Sequence, residues 1–319
     1  MRFRTEGTSS GDFFIKEARV SDNDRKNLQT EYYNAKRAAE LYHPIHGNIA
    51  PPPVKYTGKT IQFHNLLGYE TLIPALFLTD NSIRHSSAEL VEKMGTILAM
   101  VHDCDSENQS RTEFPSSFPI PIDKYLQLNP AVLSLLKNLS SQTHHSINGL
   151  RGRISSPSVS KCHIHGDFKP DNILLHGSKI QIVDWELSGQ GAPEHDFASF
   201  YAGIFTELVH RAIYQSNLDQ GITARRQLEN ATNSSILCTK WLVSSYYKSG
   251  RPILDMSLVA QLVGAKLLAR AAMHSYINSG SSPFTKILQQ AAEHCLNNPS
   301  PLSCLLSQTT HGKSTDALL

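Results

Sequence analysis

The sequence predicts an α+β fold, with strands near the amino terminus and around residue 180 and helices over most of the rest. Three observations predict it. Phe13-Phe14-Ile15-Lys16 and Thr60 to Leu67 are strand-like runs framed by turn formers. Ile173-Leu174-Leu175 and Lys179 to Val183 flank the turn His176-Gly177-Ser178. From Phe197 onward, apolar residues recur at helical spacing. The chain has 319 residues and is 40% hydrophobic, enough for one domain or two closely packed lobes.

Met1 to Glu6 pairs in expectation with Phe13 to Lys16, across the turn-rich stretch Gly7 to Asp12. Ser21 to Asp24 supplies helix caps, and Leu28, Tyr32, Ala35, Ala38, Ala39 and Tyr42 mark a helix from about Arg25 to Tyr42. Ile49 to Pro53 is a Pro-rich connector, followed by a hairpin of Val54-Lys55-Tyr56 and Thr60 to Leu67. Ser86 to Val101 carries an apolar stripe at i, i+3, i+4, i+7 spacing. Asp105 to Pro121 reads as a loop, Tyr125 to Leu139 as a helix interrupted near Pro130, and Ser140 to Ser160 as flexible or weakly helical. Helices are expected at Phe197–Ala212, Leu228–Lys248, Leu258–Ile277 and Pro283–Leu296, then a polar tail from Ser307.

A net charge of +2 implies no general attraction to nucleic acid or membrane. No window reads as a membrane span, and the first residues carry no apolar leader. Five scattered cysteines suit reduced thiols in a cytoplasmic protein. Cys162-His163-Ile164-His165 lacks a second ligand pair at zinc-like spacing and reads as packing residues.

The richest segment is His165-Gly166-Asp167-Phe168-Lys169-Pro170-Asp171-Asn172, followed by Ile182-Val183-Asp184-Trp185-Glu186. Asp167 and Asn172 share one loop, and the intervening hairpin returns Asp184 beside Asn172. An amide oxygen and a carboxylate so paired are hard ligands suited to Mg²⁺ on a phosphate-bearing substrate. Asp167 then stands one loop away, placed to accept a proton from an attacking hydroxyl.

This layout resembles the kinase catalytic and metal-binding loops. His-Gly-Asp and Asp-Trp-Glu make it more similar to the aminoglycoside phosphotransferase and choline kinase superfamily than to protein kinases proper. Gly191-Ala192-Pro193-Glu194-His195-Asp196-Phe197-Ala198 resembles that superfamily's G-x-P-x-x-D segment. The resemblance implies a protein-kinase-like two-lobe fold. Residues 1–80 would form a small, truncated antiparallel-sheet lobe with one helix, and residues 81–319 a larger, mostly helical lobe.

It also implies roles. Asp167 would be the base, with Lys169 reaching the transferred phosphate, and Asn172 and Asp184 would hold Mg²⁺. Lys16, paired with Glu31 near the start of its helix, would contact the phosphates of ATP. Asn65, Leu66 and Leu67 would lie beside the adenine. His165 and Asp196 would brace the loop, Glu186 would assist the metal or stay structural, and His102 would pack or cap. The family's usual Gly-rich phosphate loop has no counterpart before Met1. A mis-assigned start, a partner protein completing the small lobe and degenerate ATP binding all stay open. The acceptor is then a small-molecule hydroxyl, or a peptide Ser or Thr, and a kinase-shaped binding module is the non-catalytic alternative. From Tyr201 onward bases outnumber acids, which argues against a polycationic acceptor.

Overall fold

The computed structural model describes residues 2–8, 11–17, 22–46, 49–64, 69–77, 83–84, 86–103, 130–214 and 221–308. β1 (Arg2–Thr8) and β2 (Gly11–Glu17) form an antiparallel hairpin, with Phe3 opposite Lys16. β3 (Pro53–Tyr56) and β4 (Thr60–His64) complete a sheet of order β1-β2-β4-β3. The β1–β2 pairing runs through Gly7, Thr8, Gly11 and Asp12, so the expected turn is narrower than its composition suggests. α1 (Asp22–His46) buries Leu28, Ala35, Ala38 and Ala39 along one face. Glu31 lies well inside this helix, not near its start, because the helix begins three residues earlier and ends four later than its apolar stripe suggests.

The connector joins the sheet to the rest of the chain. Ile49 and Ala50 are buried, and the Ile49 carbonyl accepts from Ile182 N–H at 2.7 Å. β5 (Glu70–Thr71) runs antiparallel to β7 (Ile173–His176), which in turn pairs with β8 (Lys179–Ile182). β6 (Cys162–Ile164) and β9 (Gly189–Gly191) form a separate pair that brackets the motif segment.

The helices are α2 (Leu72–Leu76), α3 (Ser87–Asp103), α4 (Pro130–Lys137), α5 (Ser141–Ile154) and α6 (Glu194–Tyr214). α7 (Gly221–Lys248), α8 (Met256–Ile277), α9 (Pro283–Asn297) and α10 (Ser300–Ser307) follow. Of the two expectations for Ser140–Ser160, flexible or weakly helical, α5 bears out the helical one, as a regular helix of fourteen residues. Ser140 caps it by accepting from Thr143 N–H, and Thr143, Ile147 and Leu150 bury one stripe beneath a polar surface. α9 has a reciprocal Ser282–Thr285 cap and Pro283 in its first turn.

α8 is the core helix, packed against α6, α9 and α10. By length and composition it meets the requirement for a membrane span that the sequence reading denied to every window. Some 72% of its apolar window is buried inside the protein, so the fold itself accounts for the apolarity.

Candidate active site

The loop from His165 to Asn172 is held from below by aromatic packing. Phe168 and Trp185 are fully buried; the Phe168 ring stacks on Phe200 at 6.1 Å, and the His165 ring meets Trp185 at 4.6 Å. Contacts of this kind contribute roughly 0.5–1.5 kcal/mol each beyond area burial. At Gly203 of α6, a methyl group would collide with Pro170 and stand 3.2 Å from Lys169 Cβ. The loop is therefore pressed directly onto the α6 backbone.

Hydrogen bonds fix it from the side. Asp196, fully buried in the first turn of α6, accepts from the backbone N–H of His165 (2.9 Å) and of Gly166 (2.8 Å). Its Oδ2 also accepts from His102 Nε2 at 3.0 Å, and His102 Nδ1 meets the Tyr246 hydroxyl at 3.0 Å. Burial alone would neutralise Asp196, but His102 and these donors outweigh it and hold its pKa below the ordinary value. Gly166 has φ +85°, a conformation that disfavours a side chain. His165 Nε2 donates to the Val183 carbonyl at 3.0 Å and its Nδ1 accepts from Asp167 N–H at 3.3 Å, as a neutral ring does. Burial lowers its pKa and keeps it in that form.

Asp167 and Asn172 meet as the spacing predicts. Asn172 Nδ2 donates to the Asp167 carbonyl (2.9 Å) and to its Oδ2 (3.3 Å), so the side-chain oxygen of Asn172 is left for another ligand. The Asn172 carbonyl accepts from Val183 N–H at 2.9 Å, bringing Asp184 alongside. Asp184 has φ 65° and ψ 55°, left-handed for a residue with a side chain. That conformation costs about 1 kcal/mol or more and persists where surroundings enforce it. α1 supplies part of the restraint: Asn34 donates to the carbonyls of Trp185 (3.1 Å) and Ser188 (3.3 Å).

Glu31 lies three residues before Asn34 and so on the same helix face. Its Oε2 is 2.6 Å from Lys16 Nζ, which also bonds Asp184 Oδ1 at 2.8 Å and reaches Glu186 Oε2 at 3.5 Å. Burial works against the lysine charge, yet Asp184, Glu31 and Glu186 together hold its pKa above the usual value. Burial pushes the Glu31 carboxyl up to about 7 against the pull of Lys16. Burial and the neighbouring Asp184 raise Glu186 as well. Glu31, Asp184 and Glu186 each offer an oxygen within 4.8 Å of the others. Three carboxylates around one ammonium leave negative charge in excess, an oxygen-only donor set of the kind hard cations take.

The other side of the loop is basic. Lys169 Nζ pairs with Asp167 Oδ2 at 2.6 Å. Lys266 of α8 is buried and donates to the Gly166 carbonyl at 3.3 Å. Arg270, one turn further along α8, is half-buried. Burial favours a neutral Asp167, but Lys169, Lys266 and Arg270 outweigh it and hold the carboxyl at about 2. Burial brings Lys266 down to about 8, with Asp167 and Asp196 opposing.

Of the residues singled out from the sequence, Asp167, Lys169, Asn172, His165 and Asp196 gather at one loop, and Lys16, Glu31 and Asp184 meet beside it. Asn65, Leu66 and Leu67 lie outside the described residues. Lys266 and Arg270 were not singled out; their only sequence signal is two bases four apart in an otherwise apolar helix. His102, expected to pack or cap, is a buried link between Asp196 and Tyr246.

No curated protein matches this sequence. Among solved structures, choline kinase LicA from Streptococcus pneumoniae is similar at 13% identity and TM-score 0.54, over 92% of this chain and 89% of that one. The amicoumacin kinase hAmiN, in complex with AMP-PNP, Ca²⁺ and Ami, gives 11% and 0.54 over 92% and 84%. The GDP complex of aminoglycoside 2'-phosphotransferase-IIIa gives 14% and 0.51 over 94% and 93%. Identities so low speak for a shared fold, the protein-kinase-like one. Residues 51–229, more than half of the chain, match the sequence profile described as "Phosphotransferase enzyme family". That match spans the loop, the hairpin and α6, and with it this chain belongs to the phosphotransferase enzyme family.

Proposed function

We propose that this phosphotransferase moves the γ-phosphoryl group of ATP, with Mg²⁺, to a hydroxyl of a small molecule. The observation that carries the reading is Lys16 bonded at once to Glu31 and Asp184 beside the Asp167–Asn172 loop. Solved structures of the same fold add support, since one is a choline kinase and another an amicoumacin kinase bound to AMP-PNP and Ca²⁺. Among the described residues, nothing favours a peptide substrate or a partner protein over a small molecule. The free thiols of Cys162, Cys238, Cys295 and Cys304 suit a cytoplasmic setting.

In this reading Asn172 and Asp184 would hold the metal through oxygen, with Glu186 nearby. When bound there, a divalent cation would neutralise charge on the phosphates. Lys16, kept extended by Glu31, leaves Asp184 for the α- and β-phosphates. Asp167 has Oδ2 taken by Lys169 and Asn172, and its Oδ1 accepts from the acceptor hydroxyl. The acceptor oxygen bonds to the γ-phosphorus, the bond to the ADP oxygen breaks, and the hydroxyl proton passes to Asp167. A carboxyl held near 2 is a weak base, so its first task is orientation. Proton transfer comes late, as in a loose phosphoryl transition state.

The test is thermal stability with and without Mg-ATP, beside Asp184→Ala. At a hundredfold excess over the dissociation constant, ligand binding stabilises the fold by about 2.7 kcal/mol. A metal-dependent rise in midpoint that Asp184→Ala abolishes is expected. An equal rise in that variant, or none in either protein, would count against the reading.

A further inference from the structure

Two charged clusters flank the loop, and only one is explained by a nucleotide and its metal. α8 is the core helix, yet in its middle stands Lys266, only 7% exposed. A buried ammonium is disfavoured unless something holds it. Lys266 donates to the carbonyl of Gly166, beside the base Asp167. Arg270 follows four residues later on the same face of α8, half-buried, and makes no ion pair or hydrogen bond among the described residues. Lys169 completes the group from the loop itself.

The charge balance is uneven. Among the described residues, Lys169, Lys266 and Arg270 all act on one carboxylate, Asp167. The other nearby carboxylate, Asp196, already accepts from two backbone N–H groups and from His102. Lys16 and the metal ligands answer the phosphates of the nucleotide from β2 and from the Asp184 turn. α8 packs instead against α6, α9 and α10, within the helical part of the fold.

We propose that Lys266 and Arg270, with Lys169, form a subsite for an anionic group on the acceptor. The substrate is therefore a hydroxyl compound bearing a carboxylate or a phosphate. This rests on the phosphotransfer reading for the reaction, though not for the binding of the anion. Lys169 lies nearest the reacting hydroxyl. Lys266 and Arg270 stand one helical turn apart, a separation suited to a small hydroxy acid or a sugar phosphate lying along α8 with its hydroxyl toward Asp167. A choline-like cation would meet like charge here.

Two measurements test the proposal. First, orthophosphate is titrated into nucleotide-free protein and followed by phosphorus line width, in wild type, Arg270→Gln, Arg270→Lys and Lys16→Met. Loss of one charge-assisted partner weakens binding by roughly tenfold. That loss is expected in Arg270→Gln, with recovery in Arg270→Lys and little change in Lys16→Met. Absence of saturable binding, or loss in Lys16→Met alone, would overturn the subsite, the latter by placing the anion in the nucleotide site. Second, ADP formation is compared within matched acceptor pairs: glycerol 3-phosphate and glycerol, gluconate and glucose, serine and ethanolamine. The more anionic member should be preferred in each pair, and Arg270→Gln should raise its KM more than it lowers kcat. Preference for the neutral or cationic members would overturn the proposal. So would an equal fall in kcat with every acceptor, which would assign Arg270 to the transferred phosphoryl group. If phosphate binding depends on Arg270 but no acceptor is phosphorylated, the subsite stands and the phosphotransfer reading falls.

Discussion

The two flanks of the 165–172 loop carry opposite imbalances of charge. On one, Lys16 is surrounded by Glu31, Asp184 and Glu186; on the other, Asp167 is surrounded by Lys169, Lys266 and Arg270. Among the described residues one flank is rich in carboxylates and the other in cations, which suits a metal on the first and, in the proposal above, an anion on the second. A structure that only needed to be stable would interleave these charges. Their segregation on either side of one loop is the feature on which the proposed metal and acceptor subsites rest.

The strongest way to break the comparison is to remove the group between the flanks. Asp167→Asn should lower transfer by about 10²–10⁴-fold, the usual worth of a positioned acid–base group, while leaving nucleotide binding intact. Single-turnover ADP formation and a calorimetric nucleotide titration check it; undiminished turnover would remove Asp167 from the mechanism.

Next in size is the support both flanks share. Asp196→Ala strips three donors of a buried acceptor and should destabilise the fold by about 3–5 kcal/mol. Urea unfolding measures this, and a loss below about 1 kcal/mol would mean that the aromatic packing alone holds the loop.

Lys266→Met sharpens the contrast because stability and function should move in opposite directions. With its pKa lowered from 10.5 to about 8, the buried ammonium costs the native state about 3 kcal/mol at pH 7. Removing it should stabilise the fold by about 2 kcal/mol once the lost bond to Gly166 is subtracted. The sign with pH follows. Below 8 the lysine is charged in folded and unfolded chains and the cost is complete; between 8 and 10.5 the folded form loses its proton first and the cost fades. The stability gap between wild type and variant should therefore close as pH rises from 8 to 10.5. Over the same range, wild-type affinity for an anionic acceptor should fall as Lys266 discharges beside Asp167, Asp196, Lys169 and Arg270. A variant less stable than wild type at pH 7, with a gap indifferent to pH, would contradict this account.

The smallest effect belongs to Tyr246→Phe. It removes the hydroxyl that fixes His102 and should cost about 1 kcal/mol, without shifting the acceptor preference. A change of preference would mean that the two flanks are coupled through α7.

The acidic flank was far more legible in the sequence than the basic one. Asn172, Asp184 and Glu186 lie within fifteen residues and are joined by a hairpin whose turn is plain from its composition. Lys16 and Glu31 are farther off, but a strand followed by a helix constrains how they meet. Lys266 is a hundred residues from Gly166, in a helix buried on most of its faces, where no periodicity marks a special position. A base in such a helix reads as one more solvated charge until tertiary packing places it. Ser141–Ile154 was hidden for a different reason: its polar surface dominates the composition, and only three buried positions reveal the helix. The strain at Asp184 is equally invisible in one dimension, since it comes from contacts with Lys16 and α1.

The absence of a side chain at Gly203 has a practical consequence for engineering. With α6 seated against Lys169 and Pro170, the loop has no room to reshape itself around a new acceptor. A library that randomises residues 165–172 would mostly yield misfolded or inert proteins. Diversity placed outside residues 165–172 would leave the packing of the loop on α6 untouched.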